Sequence, residues 1–185
     1  MKRLFIAIQP VFSNQTLEQF SAVKKILQNE RIKWVDFNNL HLTLKFLGET
    51  EEKIIPDIVN VLNDTAKKHK AFQVYLTGLG VFKSIKNPRV FWVGFEQTNN
   101  LNVLRSLIEC NLSVVGFKED LRSFNPHITL GRIKNLADNK LLNKVISENR
   151  NKFFQLLKIN KFYLIQSILR KTGPVYTVLD EFSLN

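Results

Sequence analysis

The sequence predicts an α+β fold of two similar lobes. Each is an antiparallel sheet with helices packed outside, and the two are pseudo-two-fold related around a central cleft. Three observations predict this. Strand-like and helical segments mix, with strands often in pairs, which suits α+β better than a doubly wound parallel sheet. His41-Leu42-Thr43-Leu44 recurs 86 positions later as His127-Ile128-Thr129-Leu130, in a chain with only 3 histidines. Each copy runs on to a glycine (Gly48, Gly131) and then to a helical stretch. No low-complexity segment or long linker intervenes, so residues 1–185 read as one bilobal domain.

The chain opens on Leu4–Ile8, short, apolar and β-prone, which reads as a buried strand. Ser13 is placed to cap a helix over about 14–29, with Leu17, Phe20, Val23 and Leu27 on one face. Lys33-Trp34-Val35 and Leu40–Phe46 read as strands around an Asn38-Asn39 turn, and Gly48 ends the second. Ile55, Ile58, Val59, Leu62 and Ala66 give helical spacing, with Pro56 tolerable only in the first turn. Strands follow near Phe72–Leu79 and Arg89–Phe95, joined by a basic turn from Lys83 to Pro88. A helix starts near Asn99, and Asn125-Pro126 leads into the second His-Thr strand. Leu141, Leu142, Val145 and Ile146 mark a last helix with Asp138 as its cap. Two long strands close the chain, about Gln155–Leu169 and Val175–Phe182, after a Thr172-Gly173-Pro174 turn.

With 44% hydrophobic residues the chain can fill a sizeable core. Its 27 Lys+Arg outnumber 16 Asp+Glu, a net charge of +11 that steers and retains polyanions. The same excess also fits a merely solvated surface. The single cysteine, Cys110, excludes an internal disulfide and reads as a core or boundary helix residue. The apolar run behind Met1-Lys2-Arg3 is too short for a secretory core, and nothing approaches a membrane span, so a cytoplasmic protein without membrane contact is expected.

In a strand, His41 and Thr43 share one face while Leu42 and Leu44 take the other. The second copy does the same with His127 and Thr129 against Ile128 and Leu130. Two such strands facing one cleft supply two imidazoles, each a base or an acid near neutral pH, and two hydroxyl donors. Phosphoryl transfer needs attacking and leaving oxygens roughly in line, which histidines on opposite sides provide. No zinc-like ligand spacing, Gly-x-Ser-x-Gly or glycine-rich phosphate loop accompanies them, so neither metal nor cofactor is expected. Taken singly, each motif is an ordinary strand. The third histidine, His69, reads as a solvated residue at a helix end.

These segments resemble the 2H phosphoesterase superfamily, specifically the RNA 2′,3′-cyclic phosphodiesterases once described as 2′-5′ RNA ligases. The resemblance runs through Arg3–Ile8, His41–Glu49, Arg89–Gly94, Pro126–Arg132 and Gly173–Leu179. It implies a two-lobed fold, no metal, and hydrolysis of an RNA 2′,3′-cyclic phosphate, or a related nucleotide, to a 2′-phosphate. By the same resemblance His41 gives a proton to the departing 3′ oxygen, His127 activates water, and Thr43 and Thr129 hold the phosphate. Symmetry lets the histidines exchange roles in the ligation direction. Arg132 matches a phosphate-binding arginine, but strict alternation turns it away from His127 unless the strand bends after Gly131. Phe124 is a candidate for stacking on a base, while Phe46 and Trp92 read as core. A monomer is expected. The alternative is a non-catalytic module of the same fold that captures RNA ends or nucleotides.

Overall fold

The computed structural model describes residues 1–84, 86–137, 139–170 and 173–185. The cap expected at Asp138 and Thr172 of the closing turn lie outside the described residues. The strands are β1 (Lys2–Ile8), β2 (Arg31–Trp34), β3 (Leu42–Thr50), β4 (Phe72–Phe82), β5 (Val90–Glu96), β6 (His127–Asn135), β7 (Phe153–Ile159), β8 (Lys161–Arg170) and β9 (Gly173–Ser183). The helices are α1 (Asn14–Ile26), α2 (Ile55–Lys67), α3 (Asn99–Ser113) and α4 (Asn139–Glu148).

Among the described residues the strands form an open antiparallel sheet in the order β7-β4-β5-β6-β3-β1-β8-β9, with β2 also on β6. The sheet is pinched at its middle. β3 and β6 share a single pair, Leu42↔Ile128, whereas β1 pairs with β3 along its whole length. One lobe is therefore β3-β1-β8-β9, and the other is β7-β4-β5-β6 with β2. The paired residues are the second positions of the two His-Thr motifs, so the pseudo-two-fold axis passes between them.

Local chemistry accounts for the element ends. The Ser13 hydroxyl accepts the Thr16 N–H at 3.2 Å and caps α1. Pro56 sits in the first turn of α2, where its missing N–H costs nothing. β1 has two apolar faces. Leu4, Ile6 and Ile8 enter the main core with Ile58 and Leu62 of α2, while Phe5 and Ala7 pack with Ile165 on the opposite face.

Four expectations change. The strand read as Gln155–Leu169 is two strands separated at Asn160, because β7 pairs with β4 while β8 pairs with β1 of the other lobe. His69 is buried rather than solvated: its ring stands edge-on to Phe72 at 5.4 Å, and Nδ1 donates to the Lys70 carbonyl. Cys110 is exposed on α3, not a core residue. Phe46 is 71% exposed, not core, for a reason that lies in the motif itself.

Candidate active site

Leu42, Leu44, Ile128 and Leu130 are buried, and His41, Thr43, His127 and Thr129 are half-buried on the other face. Both strands then slip register at the same motif position. Between Ala7↔Thr43 and Ile6↔Lys45, Leu44 is the extra residue; between Trp92↔Thr129 and Phe91↔Gly131, Leu130 is. A bulge of one residue inverts the alternation beyond it. The fifth residue after each histidine thus returns to the histidine's face. In β6 that residue is Arg132, exposed, whose charge reaches Tyr176. In β3 it is Phe46, whose ring lies 6.1 Å from Phe5. The bend that Arg132 required is present, and it falls at Leu130.

The two imidazoles are tethered alike. His41 Nδ1 donates to the Asn39 carbonyl at 2.7 Å, and His127 Nδ1 donates to the Asn125 carbonyl at 2.8 Å. A carbonyl only accepts, so each Nδ1 carries the proton and each neutral ring offers a lone pair at Nε2. Protonated, the same Nε2 becomes a donor. Each ring can be base or acid at one fixed atom, and which it is depends only on its charge. A short turn over residues 37–39, capped by Asp36, presents the first carbonyl; Pro126 favours the extended backbone that presents the second. The Asn two residues ahead of each histidine was a signal in the sequence, part of the repeat but lying outside the four-residue motif.

Aromatic rings from other strands wedge both imidazoles. Phe5 and Tyr176 lie 5.1 and 5.2 Å from His41, and Phe82 lies 4.5 Å from His127. Nothing local in the sequence marked these three. Burial pushes both histidine pKa values below 6.5, only partly offset by the carbonyl bonds, and the His127 charge lowers His41 further. The two rings therefore sense each other. Burial raises the Tyr176 pKa, and the Arg132 and Arg3 guanidiniums pull it back.

Neither motif threonine hydroxyl makes a hydrogen bond among the described residues, which leaves both open to a ligand. Among the described residues no three His, Cys, Asp or Glu side chains converge as a metal site, and no helix is long and apolar enough to cross a membrane. Phe124 is half-buried beneath the Arg105 guanidinium, 5.1 Å from its ring centre.

The lowered histidine pKa values carry a stability prediction. Between their folded values and 6.5, the unfolded chain binds protons that the native state refuses. Stability is therefore full above about 6.5 and falls as pH falls through that window. Urea midpoints should decline over it, and less steeply in His41→Ala; a flat profile contradicts the burial argument.

The LigT like Phosphoesterase family profile matches the chain twice, over residues 6–92 and 93–176. An RNA 2′,3′-cyclic phosphodiesterase of Aquifex aeolicus is 36% identical over 154 residues, which cover 82% of this chain and 81% of that protein. One from Thermotoga maritima is 35% identical over 181 residues, covering 97% of this chain and 94% of that protein. TT0787 of Thermus thermophilus has a similar structure, with TM-score 0.80, 29% identity, and coverage of 98% of this chain and 97% of that one. The chain belongs to the LigT like family of 2H phosphoesterases.

Proposed function

We propose that this protein hydrolyses RNA 2′,3′-cyclic phosphodiester ends to 2′-phosphomonoesters, by metal-independent acid–base catalysis from His41 and His127. The observation that carries this reading is the matched tethering of the imidazoles, which leaves each with one proton-exchanging atom, Nε2. The names and lengths of the relatives support the substrate. His127 takes a proton from water, His41 gives one to the departing 3′ oxygen, and the phosphate stays on the 2′ oxygen. Thr43 and Thr129 donate to the non-bridging oxygens, and Arg132 adds positive charge at the same face. The terminal base then lies on the His41 side, where the exposed Phe46 ring offers a stacking surface. With an RNA 5′-hydroxyl in place of water, the same steps form a 2′-5′ linkage.

The test is product analysis of a short RNA ending in a 2′,3′-cyclic phosphate, with EDTA present. The expected product is the 2′-phosphate. Binding without turnover would favour the capture module, and activity restored only by a divalent metal would defeat the acid–base reading.

A hydroxyl donating to a developing phosphorane oxygen in a partly dry site contributes about 2–4 kcal/mol, by analogy with an oxyanion-hole donor. Thr43→Val and Thr129→Val keep strand propensity and shape. Each should lower kcat by roughly 10–1,000-fold with little change in Tm. Full activity with lowered Tm would make the hydroxyls structural.

A further inference from the structure

Three cations, from three strands and both lobes, gather at one end of the cleft. Lys33 of β2 stands opposite Arg132 in the β2–β6 register, and residues directly opposite in a sheet share a face, so both take the motif side. The Lys33 ammonium also reaches the opposing lobe, where a Cβ on Gly173 at the start of β9 would lie 3.8 Å from Nζ. Arg3 of β1 comes from that opposing lobe. Leu4 and Ile6 enter the main core, so Arg3 shares the other face with Phe5, whose ring lies 5.2 Å from Tyr176 of β9. The charges of Arg3 and Arg132 both reach the Tyr176 phenol. The start of β9, from Gly173 to Tyr176, is thus flanked by all three.

Arg3, Lys33 and Arg132 are exposed, and none makes a hydrogen bond or ion pair among the described residues. Glu49 stands opposite Arg3 in the β1–β3 register yet forms no ion pair with it. The half-buried Tyr176 hydroxyl has no hydrogen-bond partner among the described residues either. Like charges held together repel, and the internal repeat does not require them, since Phe46 holds the place of Arg132 in the first motif. An anion relieves that repulsion, and guanidinium, ammonium and phenol donors suit phosphate oxygens. The Tyr176 ring also stands edge-on to His41 at 5.2 Å. The cluster therefore lies on the side where the departing 3′ oxygen, and with it the terminal nucleoside, is placed. Apart from the scissile phosphate, the phosphate nearest that nucleoside is the one on its 5′ oxygen.

We infer that Arg3, Lys33 and Arg132, with the Tyr176 hydroxyl, form a second phosphate site that holds the phosphodiester on the 5′ side of the terminal nucleotide. This rests on the function proposed above, with His41 on the leaving oxygen's side. The chemistry at the cyclic phosphate is unchanged, and the second site decides what molecule carries it. An RNA chain fills both phosphate positions, whereas a free cyclic mononucleotide fills one. The substrate class is therefore the end of an RNA chain in preference to the mononucleotide.

The experiment compares three substrates: a 2′,3′-cyclic mononucleotide, a dinucleotide ending in the same cyclic phosphate, and that dinucleotide with an uncharged methylphosphonate as its internal linkage. The wild type should show its lowest KM for the charged dinucleotide, and the advantage should shrink as salt rises. Arg3→Gln and Lys33→Gln, in separate lobes, should each raise that KM roughly tenfold, while Arg3→Lys keeps most of the advantage. Neither glutamine variant should alter turnover of the mononucleotide or the methylphosphonate. Equal wild-type KM for the charged and uncharged dinucleotides, variants without effect, or equal effects on all three substrates would overturn the site. A wild type inactive on all three would instead strike the proposed function, so the two failures are distinguishable.

Discussion

His41→Ala and His127→Ala should each lose roughly 10²–10⁴-fold in turnover of a cyclic-phosphate substrate, the range of general acid–base catalysis. On the proposed mechanism each variant removes one end of a proton relay that works only as a unit, so the double variant should be little worse than either single. The half-buried rings are held by one carbonyl bond and by ring contacts, so the chains should still fold. In the wild type, kcat/KM should trace a bell against pH, because one ring must be neutral while the other is charged. Both pKa values are lowered by burial, so the bell should centre on the acid side of 6.5. The values read from it belong to the pair, not to either ring. A single variant with near wild-type turnover, or a pH profile with one limb, defeats the paired assignment.

Lys45→Met should be the most destabilising substitution near the site. Lys45, within the first motif's strand, is buried and pairs with buried Glu109 of α3. Its ammonium also donates to the Lys118 carbonyl at 2.9 Å. Glu109 in turn accepts the Asp120 N–H at 3.0 Å, and Arg105 donates to the Asp120 carbonyl at 2.8 Å. The network ties the segment that delivers Asn125, and with it the His127 tether, to the strand that carries His41. Without Lys45, buried Glu109 keeps only the Arg105 guanidinium, 3.4 Å away, as a counter-charge, so the loss should cost about 3 kcal/mol, the low end for breaking a buried pair. Urea unfolding should show that loss, and Lys45→Met combined with Glu109→Leu should recover much of it. The recovered double variant should still turn over more slowly, because the loop has lost its anchors. A double variant no more stable than the single would mean the pair is not what holds the region.

The shared face of His41, Thr43, His127 and Thr129 was legible because it is local: alternation within four residues decides it. The position of Arg132 was not legible. It depends on the bulge at Leu130, which is set by how β6 pairs with β5, a strand distant in sequence. Phe46 escaped for the same reason, through the bulge at Leu44. The division at Asn160 is invisible to a periodicity argument, since β-like residues run on through both strands and only the choice of neighbour changes. His69 was misread because its burial comes from Phe72 and from the chain's own final residues, where Asn185 donates to the His69 carbonyl.

That division at Asn160 bears on how the protein is made. The family profile splits the chain into two tandem halves, yet neither half holds a whole lobe. β1 leaves the ribosome well ahead of β8 and remains without one neighbour until β8 arrives, with Leu4 meeting Gln166. At ordinary synthesis speeds of about 5–20 residues per second, that leaves an apolar strand waiting roughly 8–30 s. Closing contacts this far apart also makes for slow folding. A fragment ending near residue 92 would leave β1 with a bare edge, and one starting near residue 93 would leave β8 with one. Two separately expressed halves would have to find each other before either could hide its core. What looks in the sequence like a duplicated module therefore matures as a single cooperative unit, completed only when its last strands are in hand.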